Sequence, residues 1–483
     1  MSDPLDERDV AGEPLAVVAG AAGPYLDGLA GRPVHDRSRD ALLDELDGPL
    51  PERGDGSVAA VERLVRVGTE AATHSSGPRF FHFVVGGSTP AAMAGDWTTS
   101  LLDQGAGMWV LSPLATRAEA VVLRWLKELF GLPASFGGVL TPSATFAHVT
   151  GLACARSWWA DRYGVDVTSR GLAGLPAMPV FSSGLVHVST RKALQILGCG
   201  RDTLRTFARD DAGRVDLAAM NAELARAGGR AVIVANLGDV NTGDSDPIAD
   251  LADLAERHGA WLHVDGAFGM FAALSPRTAH LARGVERADS VTADGHKWLN
   301  VPYESGFSFV RDQAMMTRAF GAWGASYLPD AGPDGAGDGD GERINYNMLG
   351  PESSRRARAL PIWATLRAYG RDGYRAMVER HLDVSQHLGG LVEAAPDLEL
   401  LAPVQLCVVC FRYRPDGVPE RRLDELNARL GEELLADGRV YAGTSTYRGM
   451  TVFRPAPLNW RTTRADVELL VDVLRELGAR LTP

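Results

Sequence analysis

The chain has 483 residues, of which 45% are hydrophobic and 23% charged, with a formal net charge of −12. That length exceeds one ordinary domain, so two or three are expected around a sizeable core. The acidic balance argues against nonspecific nucleic-acid binding, and no apolar run reaches membrane-spanning length.

The start, MSDPLDERDVAGEP, is acidic and polar, the opposite of a secretory signal. Residues up to about 75 read as helices broken by turns, and GPRFFHFVVGGSTPAA (77–92) reads as a loop built to contact something. Over 117–130, Val122, Trp125, Leu126, Leu129 and Phe130 recur at three-four spacing and Gly131 closes the pattern, predicting an amphipathic helix.

From about 137 to 312 short apolar runs alternate with helical patterns. VHVS, AVIVANLG, AWLHVDGA, DSVTADG and GFSFVRD are the strand candidates, with helices at 215–228 and 246–258 between them. Nearly all-apolar strands separated by helices predict a mainly parallel sheet covered on both faces. The Gly/Asp-rich PDAGPDGAGDGDGE after residue 328 predicts a mobile loop, and RRARALPIWATLRAYG a long helix. The last helix opens on a Thr463–Asp466 capping box and buries Leu470, Val473, Leu474 and Leu477. Cys407 and Cys410 form a C-x-x-C in a strand-like run, where residues three apart face opposite sides, so neither a metal nor a redox pair is expected. Four cysteines in so long a chain suit a reducing interior, and the protein reads as cytoplasmic.

The chemistry centres on two residues. Asp265 ends the run AWLHVD, at the carboxyl end of a predicted central strand, where open α/β sheets bind ligands. Lys297 follows thirty-two residues later in ADGHKWLN, where the next strand ends. An acid and a lysine so placed fit pyridoxal phosphate: the lysine bonds to its aldehyde and the aspartate keeps its ring nitrogen protonated. GGVLTPSATFAHVTGLACAR offers a phosphate site at a helix N-terminus through the N–H groups of Ser143, Ala144 and Thr145 and two hydroxyls, although such caps also begin ordinary helices. His187 in GLVHVSTRKALQILG, read as a strand-end residue before a helix, is placed to stack on the ring.

The phosphate turn, HxSxxKAxxxLG, HVDGA and HKW, in this order and at these intervals, resemble the group II pyridoxal-phosphate-dependent decarboxylases, which include aromatic-amino-acid, histidine and glutamate decarboxylases. The resemblance runs over some 400 residues, to FRPAPLNWRTT. It implies fold type I: a large domain with a mainly parallel seven-stranded sheet and a small C-terminal α+β domain. The corresponding divisions are 1–95 (helical segment and dimer-contact loop), 96–375 (cofactor domain) and 376–483. It further implies that Lys297 is the covalent anchor, Asp265 the ring-nitrogen partner, His187 the stacking group and Ala267 the contact on the other face. Ser143, Ala144, Thr145 and His296 would hold the phosphate, and Tyr346, after the Gly/Asp stretch, would be the proton-donating lid tyrosine. The family forms obligate dimers, so 106–113 and the Ser353–Ser354 region would reach a neighbour's site.

Departures from the pattern bear on the substrate. Phe146 and His148 stand where many relatives have an acidic and a small polar residue, Asp239 interrupts a Gly-Thr-Thr, and His82, beside Phe83, replaces a small residue. With Trp109, the residues His82, Phe83, His148 and Asp239 are the candidate substrate pocket. An acid at position 239 would recognise a basic or hydroxyl-bearing substrate, or else be used in a turn hydrogen bond. The expected reaction is decarboxylation of an L-amino acid to an amine and CO2. The alternative is oxygen-dependent decarboxylation that releases an aldehyde. A non-catalytic dimer is disfavoured by the intact Lys297, Asp265 and His187.

Overall fold

The structure is a computed structural model that describes residues 4–321 and 343–482. Helices α1 (Glu13–Gly28), α2 (Ser57–Ala71), α3 (Pro90–Leu102) and α4 (Pro113–Phe130) come first. The large sheet is built from β1 (Gly137–Thr141), β2 (Val180–Ser182), β3 (Leu204–Thr206), β4 (Val232–Asn236), β5 (Trp261–Asp265), β6 (Ser290–Asp294) and β7 (Gly306–Val310). Between these strands lie α5 (Ala144–Asp161), α6 (Val167–Arg170), α7 (Val188–Ile196), α8 (Leu217–Ala227) and α9 (Ile248–His258), and α10 (Gln313–Phe320) follows β7.

The strand order is β1-β7-β6-β5-β4-β2-β3. Only β7 runs antiparallel to its neighbours, so the sheet is mainly parallel as its apolar strands predict. Every residue of β1, β4, β5, β6 and β7 is buried. The carboxyl ends of β4, β5 and β6 lie side by side, with Asn236 in register with Asp265 and Asp265 with Thr292.

A long helix, α11 (Ala359–Ala394), bends at Gly370 and connects to a four-stranded antiparallel sheet of β8 (Leu398–Leu400), β9 (Phe411–Tyr413), β10 (Thr444–Tyr447) and β11 (Met450–Phe453). Helices α12 (Leu423–Asp437) and α13 (Arg464–Leu481) complete this part. The second core lies here, with Phe411, Phe453 and Leu474 packed together. The expected boundary at 375/376 falls inside α11, whose Met377 and Leu382 belong to the first core and whose Val384 and Leu388 belong to the second. The boundary at 95/96 likewise falls inside α3.

Local signals hold where capping chemistry is explicit. Gly131 ends α4 in the left-handed conformation (φ 70°), and the Thr463 N–H donates to Asp466 at 2.9 Å in the capping box of α13. Two readings need correction. VHVS is not a strand: His187 caps α7, and the strand lies upstream at β2. Of the Cys407–Cys410 run, only Phe411 onward pairs in a sheet. The two cysteines nonetheless sit in separate apolar clusters, and all four cysteines are free. The Gly/Asp stretch lies outside the described residues, and no described helix is long and apolar enough to cross a membrane.

Candidate active site

Strand β6 ends at Asp294, and residues 295–299 make one wide helical turn that Lys297 interrupts with non-helical torsions (φ −86°, ψ −107°). Asn300 closes the turn in the left-handed conformation. Its amide donates to Trp298 O at 3.1 Å and Leu458 O at 3.0 Å, and its Oδ1 accepts the Trp460 N–H at 2.8 Å. Trp298 is fully buried and donates its indole N–H to His381 Nδ1 at 2.9 Å. The backbone around Lys297 is therefore clamped from below. Its ammonium makes no hydrogen bond or ion pair among the described residues and lines a cavity of about 290 Å3.

Asp265, at the end of β5, lines the same cavity. Its Oδ1 accepts the Ala267 N–H at 3.1 Å, and its Oδ2 lies 3.3 Å from His148 Nε2. Burial opposes its ionisation, yet the neighbouring His148, His187 and Lys297 outweigh that and hold the carboxyl well below the usual range. It stays charged.

His187 caps α7: its Nδ1 accepts the Ser189 N–H at 3.2 Å and lies 2.6 Å from Ser189 Oγ. Burial pushes its imidazole below the ordinary value, with Lys297 acting in the same direction and Asp265 against it. A neutral ring whose Nδ1 accepts carries its proton on Nε2.

The first turn of α5 closes the far side with Ser143, Ala144 and Thr145. Gly306 is required here, because a Cβ would overlap the Ser143 backbone. The Ala144 N–H already donates to Asp294 Oδ2 at 2.9 Å, while Asp294 Oδ1 lies 2.7 Å from His296 Nδ1. Tyr303 stacks on the His296 ring at 4.3 Å. The Ser143 and Thr145 hydroxyls, the rest of the helix N-terminus and His296 could hold an anion here, with Asp294 tying two of these parts together.

Comparison with known proteins places this arrangement. The profile of the pyridoxal-dependent decarboxylase conserved domain matches residues 43–414. The chain belongs to that family. It is 33% identical over 447 residues to the L-2,4-diaminobutyrate decarboxylase of Rhizobium meliloti, covering 91% of this chain and 86% of that protein. It is 26% identical to the phenylacetaldehyde synthase of Petunia hybrida, with 93% and 90% covered. The crystal structure of Oryza sativa TDC with PLP and tryptamine superposes with a TM-score of 0.89 at 26% identity, and the match covers 100% of both chains. The fold is type I of the pyridoxal-phosphate enzymes, and the protein is a pyridoxal-phosphate-dependent carboxy-lyase.

The residues present fit that cofactor. A lysine nitrogen with no hydrogen bond or ion pair among the described residues, a buried carboxylate at a neighbouring strand end and a helix N-terminus with hydroxyls all border one cavity. Of the residues expected from sequence, Lys297, Asp265, Ala267, His187, Ser143, Ala144, Thr145, His296 and Phe83 meet there.

Five others do not. Tyr346 is 1% exposed in the large core, its ring 5.3 Å from the Arg355 guanidinium, and burial together with Glu119 raises its phenol well above the ordinary value. Arg355 is itself held in a buried pair with Glu119 at 2.7 Å, so Tyr346 is packed in the core here and does not border the cavity. His148 is fully buried behind Asp265. His82 turns to the small domain, accepting the Gly443 N–H at 3.1 Å, and burial lowers its imidazole to about 4. Trp109 lines a separate apolar groove with Leu114 and Trp363. Asp239 uses its Oδ2 on the Asn241 and Thr242 N–H groups and the Thr242 hydroxyl, which is the turn alternative.

The sequence reading missed Asn236, Ser189 and Asp294, which also border the cavity. Asn236 and Asp294 were findable: each ends a central strand, as Asp265 does.

Proposed function

We propose that the protein decarboxylates an L-amino acid to its amine, with pyridoxal phosphate carried on Lys297. The observation that carries this is the shared cavity of the Lys297 amine and the charged Asp265 at the carboxyl ends of β6 and β5. Bound there, the cofactor supplies the electron sink for the breaking bond between Cα and the carboxylate. Asp265, ionised and dehydrated, keeps a proton on the ring nitrogen. His187 presents Nε2–H to the bound substrate, orienting its carboxylate. Ser143, Thr145 and His296 hold the phosphate. Phe83, Leu185, Val240 and Phe268 form an apolar part of the cavity wall. With Asp239 consumed by its own turn, the hint of a basic substrate is withdrawn, and this apolar wall favours an apolar or aromatic side chain.

A second reading, oxygen-dependent aldehyde release, draws on the burial of Tyr346, which removes that proton donor, and on the likeness to an aldehyde synthase. An aerobic assay against an amino-acid panel, following CO2, amine, aldehyde and oxygen together, decides between them. Amine without oxygen uptake supports the first reading. Aldehyde with stoichiometric oxygen uptake supports the second, and no CO2 from any amino acid sinks both.

The active form is a homodimer in this reading. Leu101 (70% exposed), Val110 (69%) and Leu111 (57%) lie beside an apolar groove, and a second copy would bury them. A monomer by sedimentation at assay concentration would refute this. The four free cysteines support a cytoplasmic location.

A further inference from the structure

Asp265 has a buried polar neighbour that the proposed reaction does not use. His148 Nε2 lies 3.3 Å from Asp265 Oδ2 and has no other partner among the described residues. His148 Nδ1 is 2.9 Å from His263 Nε2, and His263 Nδ1 is 2.8 Å from Ser290 Oγ. That oxygen also accepts the Trp261 indole N–H at 2.9 Å. His148, His263 and Ser290 are all completely buried, on α5, β5 and β6 in turn. Gly151, one turn after His148, makes room: a Cβ there would stand 3.0 Å from the His263 ring and 3.1 Å from Ser290 Cβ.

The proton positions follow from the ends inward. An ionised carboxylate only accepts, so His148 Nε2 carries a proton. His148 Nδ1 and His263 Nε2 share one proton across their 2.9 Å contact. His263 is neutral, because burial lowers it to about 3, so one of its nitrogens donates and the other accepts, linking His148 to Ser290. One direction of donation satisfies every nitrogen. A carboxylate stripped of water needs such donors to stay ionised.

We propose that His148, backed by His263 and Ser290, is a positioning residue that holds Asp265 ionised and aimed at the ring nitrogen of pyridoxal phosphate. This rests on the cofactor reading above. It makes the relay matter only through that nitrogen, so a cofactor analogue with carbon in its place should be indifferent to His148.

The test is equilibrium binding of pyridoxal phosphate and of its 1-deaza analogue to the full-length chain freed of cofactor. The wild type should prefer pyridoxal phosphate. His148→Phe should lose about ten- to a hundredfold of that preference, the effect of a hydrogen bond to a charged group, while analogue binding stays unchanged. His148→Gln, which keeps a donor, should restore most of it. If His148→Phe does not fold, His263→Phe, which frees the His148 tautomer, should show a smaller loss of the same kind. Equal weakening of both ligands, or no weakening, overturns the proposal. A wild type that binds neither ligand overturns the cofactor reading itself, and is told apart because it needs no variant.

Discussion

Gly86 lies so close to Lys297 that a Cβ on the glycine would overlap the lysine's carbonyl oxygen, while the Gly86 N–H donates to His296 O at 2.9 Å. The loop read as built to contact something thus clasps the backbone of the lysine turn. The same loop offers Ser88 O to the Trp460 indole at 2.7 Å and Pro78 O to the Thr462 hydroxyl at 2.7 Å. N-terminal loop, lysine turn and C-terminal segment form one clamp.

Gly86→Ala should therefore push the lysine turn out of place. The chain should still fold, because both cores are untouched, but cofactor retained after dialysis should fall at least tenfold. Cofactor content by absorbance, beside a thermal melt, checks this. Full retention would show that the turn does not depend on the clasp.

Tyr346 gives an opposing prediction. Its burial beneath Arg355, away from the cavity, implies that Tyr346→Phe leaves the ratio of amine to aldehyde within about twofold of wild type. Among the described residues, Tyr303, stacked on His296, is a candidate for proton delivery. Tyr303→Phe, assayed for amine, aldehyde and oxygen uptake, should shift product toward aldehyde if it delivers the proton, and an unchanged ratio would exclude it. A switch to aldehyde in Tyr346→Phe alone would contradict the burial argument.

Stability should fall with acid before activity chemistry is considered. Burial lowers both His263 and His381 to about 3, from an ordinary 6.5. Between those values the unfolded chain binds the protons, so stability is complete above pH 6.5 and is lost as pH drops toward 3. Each contributes roughly 1.4 kcal/mol per pH unit well inside that window. Asp246, raised to about 6 by burial, acts oppositely between pH 4 and 6 and offsets about one histidine. A melting temperature that decreases steadily from pH 7 to pH 5, and decreases less in His381→Gln, is expected. A rise over that interval would refute it.

What the sequence could show follows from what each signal depends on. The apolar runs of β4, β5, β6 and β7 are legible because both faces of a parallel sheet are buried, so no alternation competes. β2 and β3 are three residues each, and β3 buries only Leu204, which leaves too little pattern to see. VHVS misleads because Val188 is 69% exposed at a helix start, and a two-valine run carries no period. In the site, the placement of Asp265 and Lys297 at neighbouring strand ends was readable, since it follows from where each apolar run stops. Tyr346 and His148 were not, because their placement depends on which way a side chain turns and on partners such as Arg355 and His263, while for Asp239 the turn with Thr242 was one of two readings open.

The most direct test of the central claim is reduction of the purified protein with borohydride in the presence of pyridoxal phosphate, followed by peptide mapping. The account predicts one stable phosphopyridoxyl adduct per chain, on Lys297, and none at that position in Lys297→Ala, which should also lack the visible absorbance of the bound cofactor. An adduct on another lysine, or an unchanged spectrum in Lys297→Ala, would contradict it.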